Sequence, residues 1–140
     1  MNIRTGIVLD KHEGALARMI TPYKFFIGGP LGSGKQWFPW IHIEDVIGIF
    51  LFTLKKENNA GVLNAVSPNP VRMKIFSKSL GKVMKRPSLI NVPKFILRII
   101  FGEAADTILY GAKVIPKRTE ENEYKFIYPE LEPALKNLLK

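Results

Sequence analysis

Residues 3–9, Ile-Arg-Thr-Gly-Ile-Val-Leu, end in an apolar run, the pattern of a strand covered on both faces at Ile7, Val8 and Leu9. From Glu13 to about Tyr23 the apolar positions Leu16, Met19 and Ile20 recur at helical spacing, and Pro22 predicts an early stop. Glycines and a proline over 28–34 mark a loop. Residues 37–43 are aromatic and β-branched, which predicts a second strand interrupted at Pro39. The next helix is expected over 45–56, with Glu44 and Asp45 at its start, where carboxylates suit the helix dipole. Its apolar residues Val46, Ile47, Ile49, Phe50, Leu51, Phe52 and Leu54 run nearly all round, so burial from several sides is expected. A third strand is predicted over 62–66. Ser67-Pro68-Asn69-Pro70 then leads into an amphipathic helix whose apolar face is Met73, Phe76, Leu80, Val83 and Met84.

After Arg86-Pro87 the character changes. Pro93 suits a first helical turn, and 95–101 reads as a short buried helix ended by Gly102. A second helix is expected over 103–110, a short alternating strand over 124–128, and a closing helix over 130–139 disturbed by Pro133. The strand–helix–strand–helix order of the first part predicts an α/β fold with a parallel sheet covered by helices. Two or three strands are too few to close such a sheet, so the chain is expected to begin in mid-fold.

Composition fits a folded protein, with 46% hydrophobic and 24% charged residues. The absence of Cys excludes disulfides and thiolate metal sites, and His12 stands alone without further zinc ligands. No apolar run approaches the length of a bilayer span and no signal segment is recognisable, so a cytoplasmic protein that does not enter membranes is expected. The net charge is +9, and between Asn58 and Gly102 no acidic residue occurs. Lys74, Lys78, Lys82 and Arg86 recur every four residues and form a stripe on the predicted helix. With no aromatic residues interleaved to stack bases, the stripe reads as a solvated helix back rather than a nucleic-acid face.

Gly29 to Gln36, Gly-Pro-Leu-Gly-Ser-Gly-Lys-Gln, falls one residue short of a phosphate-binding P-loop. Gln36 lacks the small hydroxyl that would ligate Mg²⁺. Trp37-Phe38-Pro39-Trp40 is a poor helix opening, because Pro39 steers Phe38 away from the helical region. An NTPase is therefore not expected.

Several segments taken together resemble one family. They are 4–9 (Arg-Thr-Gly-Ile-Val-Leu), 14–17 (Gly-Ala-Leu-Ala), 28–37 through Trp37, 40–46 (Trp-Ile-His-Ile-Glu-Asp-Val), Asn64-Ala65, and Pro68-Asn69-Pro70-Val71. The set is similar to the C-terminal half of the epimerase family of extended short-chain dehydrogenases/reductases, named as nucleoside-diphosphate-sugar epimerases or loosely as cell-division inhibitors. Val92-Pro93, residues 102–106 (Gly-Glu-Ala-Ala-Asp), Val114-Ile115-Pro116 and residues 126–129 (Phe-Ile-Tyr-Pro) resemble that family's small C-terminal domain of unknown function. The resemblance implies the C-terminal part of a Rossmann-like, doubly wound fold over 1–90. It implies a small, mainly helical C-terminal domain over 91–140.

For a full-length family member the resemblance implies NADP, or NAD, and epimerase or reductase chemistry. The family's G-x-x-G-x-x-G turn and Tyr-x-x-x-Lys pair are absent from these 140 residues. The chain is therefore expected to be a substrate-side fragment that binds no cofactor and has no catalytic residue of its own. Its expected partners are an N-terminal Rossmann half and a small-molecule substrate, the alternative being a stand-alone module that self-associates through exposed sheet edges or binds polyanions through the Lys-rich stripe. In related reductases an Arg-Asp-aromatic sequence meets substrate phosphates where this chain has Phe38-Pro39-Trp40. Lys35 and Gln36 are the nearby candidates to compensate. Trp37 and Trp40 are candidates to wall a pocket, or else pack the interior. His42 is a candidate proton carrier, or else orients the start of the following helix.

Overall fold

In the computed structural model, the described residues are 2–10, 12, 14–55, 62–102, 113–121 and 124–139. The first expected strand is divided at Gly6 into β1 (Asn2–Thr5) and β2 (Ile7–Leu9). There follow α1 (Gly14–Lys24), β3 (Trp37–Phe38), β4 (Trp40–His42), α2 (Ile43–Lys55), β5 (Val62–Ala65) and β6 (Val71–Arg72). The chain closes with α3 (Met73–Met84), α4 (Lys94–Phe101), α5 (Lys117–Glu121) and α6 (Leu131–Leu138).

β1 pairs in parallel with β5 and β2 in parallel with β4, so a parallel α/β arrangement is present as expected. The division at Gly6 has a steric origin. A Cβ there would strike the Pro39 carbonyl oxygen and lie 2.7 Å from Val66 Cγ1. Gly6 N donates to Ala65 O at 3.0 Å, and the next amide, Ile7 N, donates to Pro39 O at 2.7 Å. The ladder thus passes from β5 to β4 within one residue. Pro39 divides the second expected strand in the same way. β3, on one side of it, pairs antiparallel with β6, with Trp37 opposite Arg72 and Phe38 opposite Val71.

The main core joins the front of the chain to its end: Leu9, Leu16, Phe38, Trp40 and Phe76 share one cluster with Leu97 of α4 and Leu135 of α6. Fully burying each such side chain contributes about 1.5–3 kcal/mol. A smaller cluster of Ile41, Val46, Ile49 and Ala65 lies between α2 and the sheet. Lys74, Lys78, Lys82 and Arg86 are all exposed.

Four expectations are corrected. Only one face of α2 is buried, through Asp45, Val46 and Ile49, whereas Ile47 is 53% and Leu54 81% exposed. Among the described residues nothing covers that outer face. α4 is likewise one-sided, with Leu97 buried and Ile99 79% exposed. Residues 124–128 form no strand, because their amides at Ile127 and Tyr128 are taken by the Asp45 carboxylate rather than by a ladder. Pro22 does not stop α1 early: the helix runs on to Lys24, and Pro22 O then accepts from Phe25 N and Ile27 N as the chain turns away. Pro133 sits in the first turn of α6, where a missing N–H costs nothing. The helix expected over 103–110 lies outside the described residues. Among the described residues no helix is long and apolar enough to cross a membrane.

The close approach at Gly6 is testable. Gly6→Ala is expected to destabilise the chain by about 1–3 kcal/mol, the range for an overpacked site, measured as a lowered urea midpoint. An unchanged midpoint would show that Pro39 and Val66 yield without cost.

Candidate functional site

A groove of about 330 Å³ opens where β1 and β5 end, bounded by Thr5, Gly6, Pro39, Asn64, Val66 and Val114. The carboxyl ends of parallel strands are where open α/β sheets receive ligands, because the diverging loops leave a crevice there. Arg4 also lines the groove, and Asn64 Nδ2 donates to Ile115 O at 3.4 Å on its far side.

The glycine-rich loop leads into β3. Gly32 and Gly34 adopt φ of 64° and 75°, left-handed conformations that a side chain would strain. The loop turns its carbonyls, not its amides, toward α3. Gly34 O accepts from Lys74 N at 2.9 Å and Gln36 O from Met73 N at 2.8 Å. These bonds satisfy amides that a helix start leaves open. The polarity is opposite to that of a phosphate-cradling loop, and the chain continues into β3 rather than a helix. Gln36 braces the loop from within, Nε2 donating to Leu31 O at 2.8 Å.

The loop delivers Lys35, Gln36 and Trp37 to one corner. The β3–β6 register brings Arg72 opposite Trp37. Its guanidinium lies 4.6 Å from the indole centroid while Nη1 donates to Lys35 O at 2.5 Å. Lys113 Nζ lies 5.1 Å from the same ring.

Trp40 and His42 are placed elsewhere. Trp40 is fully buried in the main core, its Nε1 donating to Asn69 O at 3.2 Å. His42 is 1% exposed. Its Nδ1 accepts from Glu44 N at 3.0 Å, which fixes the tautomer with the proton on Nε2, facing Asn137 Oδ1 at 2.9 Å. The imidazole stacks on Tyr128 with centroids 4.2 Å apart. Its observed contacts orient the start of α2 and fasten α6.

Asp45 is fully buried at the start of α2. Its carboxylate accepts from Ile127 N at 2.8 Å, Tyr128 N at 2.9 Å and the Tyr124 hydroxyl at 2.9 Å. Burial, then the bond to Asp45 and its negative charge, raise the Tyr124 hydroxyl well above its ordinary value of 10.0. No group of three or more His, Asp or Glu suited to a metal ion occurs among the described residues.

Sequence reasoning did not single out Arg72, Lys113 or Asn64 for the site. Arg72 was legible only as one cation among many, since two-residue strands carry no periodicity to announce their pairing.

Residues 92–138 match a domain of unknown function, DUF1731. Over 98% of its length the chain is 44% identical to an epimerase family protein SDR39U1 homolog, chloroplastic, of Arabidopsis thaliana, covering 40% of that protein. It is 40% identical to the epimerase family protein SDR39U1 of Homo sapiens over 98% of the chain and 47% of the relative. In structure, 97% of the chain superposes on 46% of the human epimerase family protein SDR39U1 crystallised with NADPH, with a TM-score of 0.90 and 39% identity. A UDP-N-acetylglucosamine 4-epimerase from Bacillus cereus shares the fold, with a TM-score of 0.72 at 12% identity. The chain spans less than half the length of these curated relatives.

The buried carboxylate makes two measurable claims. Asp45→Asn is expected to destabilise by roughly 2–4 kcal/mol, since the substitution weakens charge-assisted bonds and faces one backbone N–H with an amide donor; a urea midpoint near the native one would contradict this. The Tyr124 hydroxyl is raised on folding, so its contribution is fully present below pH 10 and declines as the pH climbs above the ordinary value of 10.0. Tyr23, also raised by burial, acts in the same window. The check is therefore a difference: Tyr124→Phe should lose less stability than the native chain between pH 9 and 11.5.

Proposed function

We propose that this chain, homologous over its length to the C-terminal part of epimerase family proteins of the extended short-chain dehydrogenase/reductase type, is the substrate side of a nucleotide-sugar-epimerase-like, NAD(P)-dependent oxidoreductase. The observation that carries the reading is the superposition of nearly the whole chain on under half of a relative crystallised with NADPH, together with the groove at the carboxyl ends of β1 and β5. These 140 residues contain neither the glycine-rich pyrophosphate turn nor the Tyr-x-x-x-Lys pair that the family resemblance implies. In this reading an N-terminal Rossmann half holds NADP or NAD, which supplies hydride chemistry, and this half is not competent alone.

The chain's own contribution is to bind and orient. Lys35, Gln36 and Trp37 are the residues that meet substrate in this reading, close in sequence to Pro39 of the groove wall, while Trp40 and His42 hold β4 and the start of α2. Residues 1–90 form the sheet side of the site and 91–140 the small domain whose α6 packs into the same core. The cytoplasm is the compartment this reading assumes; the plant relative is named chloroplastic.

A second reading is favoured by the outer face of α2, where Ile47, Phe50, Leu51 and Leu54 are exposed together. An apolar face of this kind favours self-association, and size-exclusion chromatography of the chain separates the readings. A concentration-dependent oligomer supports the second.

The primary reading is tested by titrating NADPH into the chain alone and into the chain fused to an N-terminal half from an epimerase family relative. Saturable enhancement of nicotinamide fluorescence is expected only in the fusion. Tight binding by the chain alone, or none by a folded fusion, overturns it.

A further inference from the structure

We propose, resting on the substrate-side reading above, that the Trp37 corner receives an anionic group, phosphoryl or carboxylate, of the ligand that occupies the groove. The receptor is the pair Arg72 and Lys113 against one indole.

Three observations converge. Arg72 is held in place: the β3–β6 register and the bond from its Nη1 to Lys35 O fix the guanidinium 4.6 Å from the Trp37 ring, and Lys113 Nζ lies 5.1 Å from the same ring. Nor are they compensated among the described residues. Among the described residues no carboxylate forms an ion pair with Lys35, Arg72 or Lys113, whereas Lys82 on the α3 stripe does find Glu132 at 3.2 Å. Each cation lies within a Debye length of about 8 Å of the Trp37 ring, so both act on a ligand seated beside it. An anion seated beside the ring and within reach of both gains charge-assisted hydrogen bonds.

Finally, the corner adjoins the groove. Val114 and Pro39 line it, the first next in sequence to Lys113 and the second two residues from Trp37, and Arg4 adds a further cation at its rim. The usual backbone receptor for anions is closed off here, since the loop carbonyls of Gly34 and Gln36 occupy the first amides of α3. Anion recognition therefore falls to side chains. The half-buried indole offers a face for a planar or ring-shaped body beside the anion.

Trp37 is also the reporter. Trp40 is fully buried and serves as an internal reference. Inorganic pyrophosphate and malate are titrated separately into the 140-residue chain at constant ionic strength, following tryptophan emission. A saturable change is expected with at least one probe, absent from Trp37→Phe. Its midpoint should rise at least tenfold in Arg72→Gln/Lys113→Gln. Because Arg72 also braces the loop, Lys113→Gln alone, at an exposed position, is measured beside it and should weaken binding several-fold with the circular dichroism unchanged. Saturation by pyrophosphate alone assigns a phosphoryl group, and by malate alone a carboxylate. Saturation by neither, or an equal response in the folded variants, marks an adventitious ion only and overturns the proposal. That failure leaves the NADPH titration of the fusion unaffected, so the two readings fall separately.

Discussion

A buried carboxylate organises this chain. Asp45 has no solvent to share its charge, and an ionised carboxylate in an apolar interior is tolerated only when donors surround it. The start of α2 supplies a favourable field, and the three donors come from one distant segment: Tyr124, Ile127 and Tyr128. Satisfying Asp45 therefore fixes where the C-terminal segment must run. From there the placement propagates. Tyr128 stacks on His42, and the Pro129 carbonyl accepts from Ser67 Oγ at 3.0 Å and Asn69 Nδ2 at 2.7 Å. α6 then enters the main core through Leu131, Ala134, Leu135 and Leu138. The groove wall at Asn64 and Val66 is thus tied, through Ser67, to the segment that Asp45 holds.

Much of this was legible in the sequence where the period of apolar residues decides. α1, α2, α3 and α6 lie close to their expected positions, and the parallel strands fall at 2–9, 40–42 and 62–65. The two breaks, at Gly6 and Pro39, depend on tertiary neighbours and were only half visible. Pro39 announced an interruption, but nothing local indicated that β3 would turn to β6. The segment 124–128 misled because alternation signals a strand only when a ladder partner is free, and here a carboxylate claimed the amides first. α2 misled for the opposite reason: an all-round apolar helix implies neighbours on every side, and the described residues supply them on one.

The site divides along the same line. Lys35, Gln36 and Trp37 were identifiable as neighbours in sequence, and the loop keeps them together. Trp40 and His42, three and five residues beyond Trp37, turn inward because Pro39 starts a new strand in which both are covered. Arg72 and Lys113 reach the corner from remote parts of the chain, so no spacing rule could have gathered them. The near-miss to a phosphate loop has a physical resolution. Glycines in left-handed conformations can aim either backbone dipole, and here they aim the negative one at a helix start.

The shared strand around Gly6 has a consequence for fidelity of assembly. Ordinarily a strand that slips by one residue trades a single set of partners for another and turns its side chains to the wrong face. Here residues 2–9 serve two ladders in succession, one to β5 and one to β4. A slip must misalign both at once and drive a side chain into the Pro39 carbonyl, so mispaired alternatives are penalised twice. The single residue without a side chain acts as a registration mark for both halves of the sheet.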